Sequence, residues 1–464
     1  MIQYYINKAI DTEINNWAIA LILNRAGIKA KKINQINDTI HLYYGNDPNE
    51  INLLANSLII KNKKTTANDI IALNDETNLT ALNFDLVQAT IILLTDSIHN
   101  NLGPENFDIH QRLKGTCSFQ YKLGLIKTPI INTYTELIKR TIAQKFNCTP
   151  IPYYPKNYKS VIILSHDVDE PLRYAILNKQ KDKLHHLSFR NKITHQWHFL
   201  RKRIRKALFN GGDSFWNIEK IIKKESSLGF TSTFFFTAKS KFNKGSSFRF
   251  DNSYDVSWSP IENAFKLLNE NGFEISLHSS YNSTINPIFF NEEKERLEKF
   301  SKKEIIGNRH HFWHLGKNPE KTLLNHQKAN LKYDSSIAFN DIAGYRRNAA
   351  FAFYPFHLKE NKKICTLQIP NLMMDTNIVK PDNIQASLKE AVTYIEELRN
   401  NHGVAAINWH SRMAYPNDKK LAIYGEVYIE LLDYLAQQED IWVTNFENYY
   451  NWHKKREKRI KENK

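Results

Sequence analysis

Apolar residues follow two rhythms along this chain, and the change from one to the other falls near residue 150. In the first stretch Ile14, Trp17, Ala18, Leu21, Ile22 and Leu23 recur three or four apart, as do Phe84, Val87, Ile91 and Leu94, so each set predicts an amphipathic helix. Between them Ile40-His-Leu-Tyr-Tyr44, running into Gly45, predicts a strand entering a turn. Pro150, Pro152 and Pro155 then punctuate the chain, and short apolar runs begin to alternate with longer helical ones. Strands are predicted over 161–165, 231–236, 273–277, 304–306, 366–369, 404–409 and 441–444, with helices over 261–269, 291–300, 384–399 and 425–437 among the stretches between them. Such alternation is the pattern of β-α units around a parallel sheet or barrel. The expected fold is therefore α/β: a distorted (β/α) barrel over 146–453, preceded by a smaller mixed α/β domain over 1–145. A basic tail over 454–464 is expected to be frayed or a solvated helix.

Composition narrows the function classes. A chain of 464 residues with 42% hydrophobic and 12% aromatic content can bury a large core and is long enough for two or three folding units. Cys117, Cys148 and Cys365 are odd in number, far apart and without Cys-x-x-Cys spacing, which argues against a disulfide framework or a thiolate zinc site. The start lacks a basic head followed by an apolar run, and the most apolar stretch, 87–94, falls far short of the ~18 residues that cross a bilayer. A soluble, cytoplasmic protein is expected.

The formal net charge of +16 raises the question of anionic partners. Much of the excess lies in 179–206 and in the tail, neither within a recognisable nucleic-acid module, so nucleic acid is not an expected partner. The segment 191–209 mixes bulky apolar and basic residues and is a candidate for peripheral contact with an anionic membrane; packing on the barrel with solvated charges is the simpler reading.

The chemistry sits where apolar strands end. Val161-Ile-Ile-Leu-Ser165 runs into His166-Asp167-Val168-Asp169, the strand at 273–277 into His278, that at 304–306 into Asn308-Arg309-His310-His311, and that at 404–409 into His410. In a β/α barrel the C-terminal strand ends converge on one mouth. Side chains two apart on a strand point the same way, so Asp167 and Asp169 are expected to face that mouth together. Carboxylate and imidazole with one coordination position left open is the donor set of a hydrolytic zinc site. A carboxylate outside that set can act as base, and a further His as acid.

Ser165-His-Asp167-Val-Asp169, Leu277-His278-Ser-Ser-Tyr281, Arg309 and His410, with Thr233-Phe-Phe-Phe236 and Tyr333-Asp-Ser-Ser336 between them, resemble the motifs of the NodB-type polysaccharide deacetylases, carbohydrate esterase family four, within the glycoside hydrolase/deacetylase barrel superfamily. The resemblance runs from residue 160 to about 450 and implies a barrel of that type. It further implies Asp167 as general base, Asp169 and His278 as ligands of zinc or another divalent metal, Arg309 as the partner of the base and His410 as the proton donor. The implied reaction removes an acetyl group, N-acetyl ahead of O-acetyl, from a saccharide in surface-polysaccharide biosynthesis. A cytoplasmic enzyme of this kind would meet a nucleotide- or lipid-linked intermediate. Residues 1–145 resemble only an uncharacterised domain that precedes some deacetylase-like proteins.

Two departures from the family pattern matter. Asn282 stands where the second motif should close with His, and His311-Phe312 stands where the third usually reads Pro-Tyr. His311 is expected to supply the missing ligand. The alternative is a catalytically degenerate barrel that binds glycan or a biosynthetic partner. A metal-free glycosidase fits poorly, because its two acids need to lie ~5 to 9.5 Å apart. His310, His314, His185, His186, His195 and His198 have no strand-end logic and are read as surface residues. Arg346 is read as a surface turn residue or a contact to an acidic sugar, and Trp258, Trp313 and Trp409 as core or as sugar-stacking rings. Oligomeric state stays open.

Overall fold

The computed structural model describes residues 1–173, 213–238, 250–251, 254–284, 286–316 and 319–462. The N-terminal unit is built on four short parallel strands, β1 (Ile2–Ile6), β2 (Ala30–Lys32), β3 (Leu42–Tyr44) and β4 (Leu58–Ile60), in the order β2-β1-β3-β4. The two helices foreseen from periodicity are present as Glu13–Arg25 and Leu86–Leu94. Each begins at a capping side chain: Thr12 accepts from the Asn15 amide, and Asp85 accepts from the amides of Val87 and Gln88. A third helix, Ile130–Phe146, packs with them over Trp17, Ile22, Val87, Tyr134 and Ile138.

The larger unit carries β5 (Ser160–Val168), β6 (Thr233–Phe236), β7 (Glu274–Ser279), β8 (Gly307–His310), β9 (Tyr333–Asp334), a small hairpin of β10 (Phe356–His357) and β11 (Lys362–Lys363), then β12 (Leu367–Gln368), β13 (Asn371–Met374), β14 (Val404–Asn408) and β15 (Ile441–Thr444). Its main sheet runs β12-β9-β8-β7-β6-β5-β14-β13, with β15 also on β5, and all these pairings are parallel. Among the described residues no pairing joins β12 to β13, so the sheet is an open, curled half-barrel. The α/β class and the smaller N-terminal sheet are as the alternation predicts.

Alternation along β5 decides what the site receives. Ile162, Leu164 and Val168 pack outward with Ile221 and Leu431 of the flanking helices, whereas Val161 and Ile163 point inward with Phe235, Tyr333 and Phe446. Asp167 therefore shares the inner side. His166 faces out, where Glu225 (2.8 Å) and Tyr428 enclose it.

The interior apolar cluster does not stop at the foot of the sheet. It continues through Phe351, Phe353 and Phe356 to Trp17 and Ile22, so the two units share one core. The chain end reinforces the seam. Helix Phe446–Lys461 buries Arg456 and Ile460, and Arg456 donates to the carbonyls of Asn24 and Arg25 at the C-terminus of helix Glu13–Arg25. The tail is thus a docked helix, not a frayed end, because those carbonyls need donors and the guanidinium supplies them.

Two strand expectations are corrected here. Residues 304–306 are not a strand; the strand begins at Gly307 and consists of Gly-Asn-Arg-His, all buried. An apolar rule misses it because its inward side chain is a buried Arg, and only Gly fits at its start, where a Cβ would lie 1.9 Å from the Tyr333 ring. The strand foreseen at 366–369 shrinks to two residues, while β13, just past Pro370, was not foreseen. The candidate membrane segment 191–209 and His185, His186, His195 and His198 lie outside the described residues. Among the described residues no helix is long and apolar enough to cross a membrane.

Candidate metal centre

The C-terminal ends of β5, β7, β8 and β14 bring six expected residues to one rim: Asp167, Asp169, His278, Arg309, His311 and His410. Asp169 Oδ1 lies 3.1 Å from His278 Nε2 and 3.6 Å from His311 Nε2, and the candidate ligand atoms of the three all lie within 4.8 Å of one another. His278 Nδ1 sits 2.7 Å from the Arg309 carbonyl oxygen. A carbonyl only accepts, so Nδ1 carries the hydrogen and Nε2 is the nitrogen turned toward Asp169. The Asp169 carboxylate thus has imidazole nitrogens of His278, His311 and His410 close about it.

One carboxylate and two imidazoles, with the outer nitrogen of His278 tied to a carbonyl, fit a divalent cation such as zinc that keeps a position open. The electrostatics agree. Burial opposes charge on Asp169, yet His311, His278 and His410 hold its carboxyl well below the usual carboxylate value. Burial likewise works against a charged His311, but Asp169 and Asp251 push it up to about 9. The field that draws a proton there would draw a cation.

Beside this group stands a second carboxylate with a different environment. Asp167 is buried; its Oδ1 accepts from Arg309 Nη1 at 2.9 Å and its Oδ2 from Asn408 Nδ2 at 2.7 Å. Burial raises its pKa, but Arg309, then His278 and His410, outweigh that and keep it below the ordinary value. Arg309 is itself fixed by Ser165 Oγ and Asn408 Oδ1, both at 3.0 Å, and lies over the Phe235 ring.

His410 faces the group from β14. Its Nδ1 lies 2.8 Å from Asp375 Oδ2, which also accepts from the His410 backbone amide at 2.6 Å, and its Nε2 lies 3.2 Å from Asp169 Oδ2. Burial lowers its pKa, but Asp375 and Asp169 push it up to about 10.

Sequence reasoning overlooked Asp375, Asn408, Ser165 and Arg412, whose Nη1 is 3.8 Å from Asp169 Oδ2. Asp375 directly follows the apolar run Asn371–Met374, the same strand-then-acid signal that marked Asp167. His310 and His314 are buried, not surface residues. His310, like His166, points away from the mouth and meets His326 at 2.8 Å, while His314 stacks on Tyr281 at 3.9 Å. Arg346 neither lies free nor faces a sugar, since both terminal nitrogens bind Asp96 of the N-terminal unit. Trp409 is fully buried, its Nε1 donating to the Tyr424 carbonyl, and belongs to the core.

A family model described as "Family of unknown function (DUF7033)" matches residues 2–147, the N-terminal unit. Among curated proteins none matches the chain. Solved structures give remote likenesses to two proteins provisionally classed as polysaccharide deacetylases. One is from Mycobacterium smegmatis, at 12% identity and TM-score 0.44 over 66% of this chain and 94% of that one. The other is from Pseudomonas aeruginosa PAO1, at 12% identity and TM-score 0.42 over 67% and 97%. PuuE allantoinase is similar at 12% identity and TM-score 0.42 over 66% and 94%. Likenesses this remote carry no argument about activity; that rests on the residues of the rim.

Proposed function

We propose that the protein is a metal-dependent hydrolase that removes an acetyl group, N-acetyl in preference to O-acetyl, from a saccharide. The observation that carries this reading is the group of Asp169, His278 and His311, whose candidate ligand atoms lie within 4.8 Å of one another, set between a clamped carboxylate and a clamped imidazole. Asp169, His278 and His311 would hold zinc or another divalent cation. Such a cation, when bound, acidifies a water and stabilises the oxyanion that develops on the carbonyl.

The chain's own residues do the rest. Asp167, kept ionised and oriented by Arg309 and Asn408, takes the proton of the attacking water. His410, its Nδ1 committed to Asp375, presents Nε2 to the site and gives a proton to the departing nitrogen. An amine leaves readily only when protonated, which is why an acid opposite the base suits an amide. The degenerate-barrel alternative drew its motive from Asn282; His311 beside Asp169 offers a donor in its stead and supports the enzyme reading. The motif resemblance supports a saccharide as substrate, and the nucleotide or lipid carrier in surface-polysaccharide assembly rests on the expected cytoplasmic location.

Metal analysis tests the proposal. Purified protein loaded with zinc and desalted should retain about one ion per chain and release acetate from an N-acetylated oligosaccharide. His278→Ala should lose both. A protein that folds normally but retains no divalent metal, with no acetate released, would refute it.

A further inference from the structure

The two residues after His311 have a conformation that bulky side chains avoid. Phe312 and Trp313 both lie in the left-handed region, with φ of 60° and 49°. The turn contains no Gly, the residue that takes that geometry freely, so something outside it has to hold it. That support comes from the N-terminal unit.

Residues 107–113 form a tight hairpin closed by an antiparallel bridge between Phe107 and Leu113. Asp108 accepts from the amides of His110 and Arg112 and, at 2.7 Å, from Arg112 Nε, which fixes the guanidinium. Arg112 Nη1 then donates to the Phe312 carbonyl and to Asn340 Oδ1. On the other side, the His110 ring packs against Phe312 at 4.7 Å and its Nδ1 lies 3.0 Å from the Tyr281 hydroxyl; Tyr281 in turn stacks on His314. The turn from His311 to His314 is gripped at both ends by groups that lead back to the hairpin.

We infer that the N-terminal unit is a positioning element for the metal centre: Arg112, locked by Asp108, holds the left-handed turn at 312–313 and thereby aims His311 at Asp169. This gives residues 1–145 a role in the chemistry without contact to substrate, and it rests on the metal reading above. Removing the clamp lets the turn relax to right-handed geometry, and His311 then swings out of reach.

The test uses the full-length protein with Arg112→Ala, Arg112→Lys and Phe312→Gly, and two readouts. Zinc affinity, measured by chelator competition, should fall about 10- to 100-fold in Arg112→Ala, the usual effect of losing an outer partner of a ligand, and in part return with Lys. Hydrogen exchange of the amides at 311–316 in metal-free protein should rise about tenfold, as expected for local opening of a turn that has lost its anchor. Glycine accepts positive φ freely, so Arg112→Ala placed on Phe312→Gly should lower zinc affinity by less than about threefold. Equal losses on both backgrounds would make Arg112 a mere fastener of the two units and overturn the inference, as would unchanged zinc affinity in Arg112→Ala. Unaltered protein that binds no zinc sinks the metal reading instead, and the exchange rates alone then decide whether Arg112 holds the turn.

Discussion

Two buried clusters of charge, one at the rim of the sheet and one at the seam between the units, use similar residues to opposite ends. At the seam Asp96 binds both terminal nitrogens of Arg346, lies 2.8 Å from His99 and 3.9 Å from Arg347, so its charge is neutralised where it stands. At the rim Asp169 is ringed by imidazole nitrogens of His278, His311 and His410, and with the first two it forms a group that could hold a metal ion. A closed ion pair fixes two surfaces together; a carboxylate and two imidazoles converging on one point make a place for a guest. The carboxylates are comparable, and the donors arranged around each separate architecture from chemistry.

That contrast can be broken from either side. The largest effect is expected at the rim: Asp167→Asn keeps the shape but loses the base, and acetate release should fall about 10²- to 10⁴-fold, with zinc content by metal analysis unchanged. A drop below tenfold would remove Asp167 from that role. At the seam, Asp96→Ala leaves Arg346 without its carboxylate partner and should lower unfolding free energy by about 3 kcal/mol in denaturant titrations, while the folded protein still binds zinc.

The smallest effect concerns acid. Burial opposes charge on Asp96, but Arg346, Arg347 and His99 hold its carboxyl far below the ordinary value. A depressed carboxylate contributes stability that is complete above its unfolded pKa of about 4 and is lost as the pH falls toward the depressed folded value. Asp96→Asn should therefore flatten the acid limb of the stability curve by about 1 kcal/mol, measured as unfolding midpoints at pH 7 and pH 3. An unchanged limb would mean the seam does not depend on this charge.

Much of the rim was legible because strand periodicity is a local property. Asp167 and Asp169, two apart at the end of an apolar run, had to share a side, and His278 and His410 each close a strand of their own. Asp375 was missed for a reason equally local: Pro370 disguised the start of β13, so the acid that ends it was not recognised as a strand end. The same alternation that selects Arg309 and Asp167 turns their neighbours His310 and His166 outward, into buried positions that a surface reading of His310 does not foresee.

The order of polar and apolar residues by itself determined the β-α alternation, the parallel sheet and the strand ends that carry titratable groups, since these depend on neighbours within a few positions. Only the tertiary structure decided that Arg309 and Asn408, 142 and 241 residues away, converge on Asp167, that His311 completes the metal group from a left-handed turn, and that the N-terminal unit grips that turn. Parallel pairing places strands side by side without regard to their separation along the chain, and a docked unit acts through contacts that local patterning does not encode.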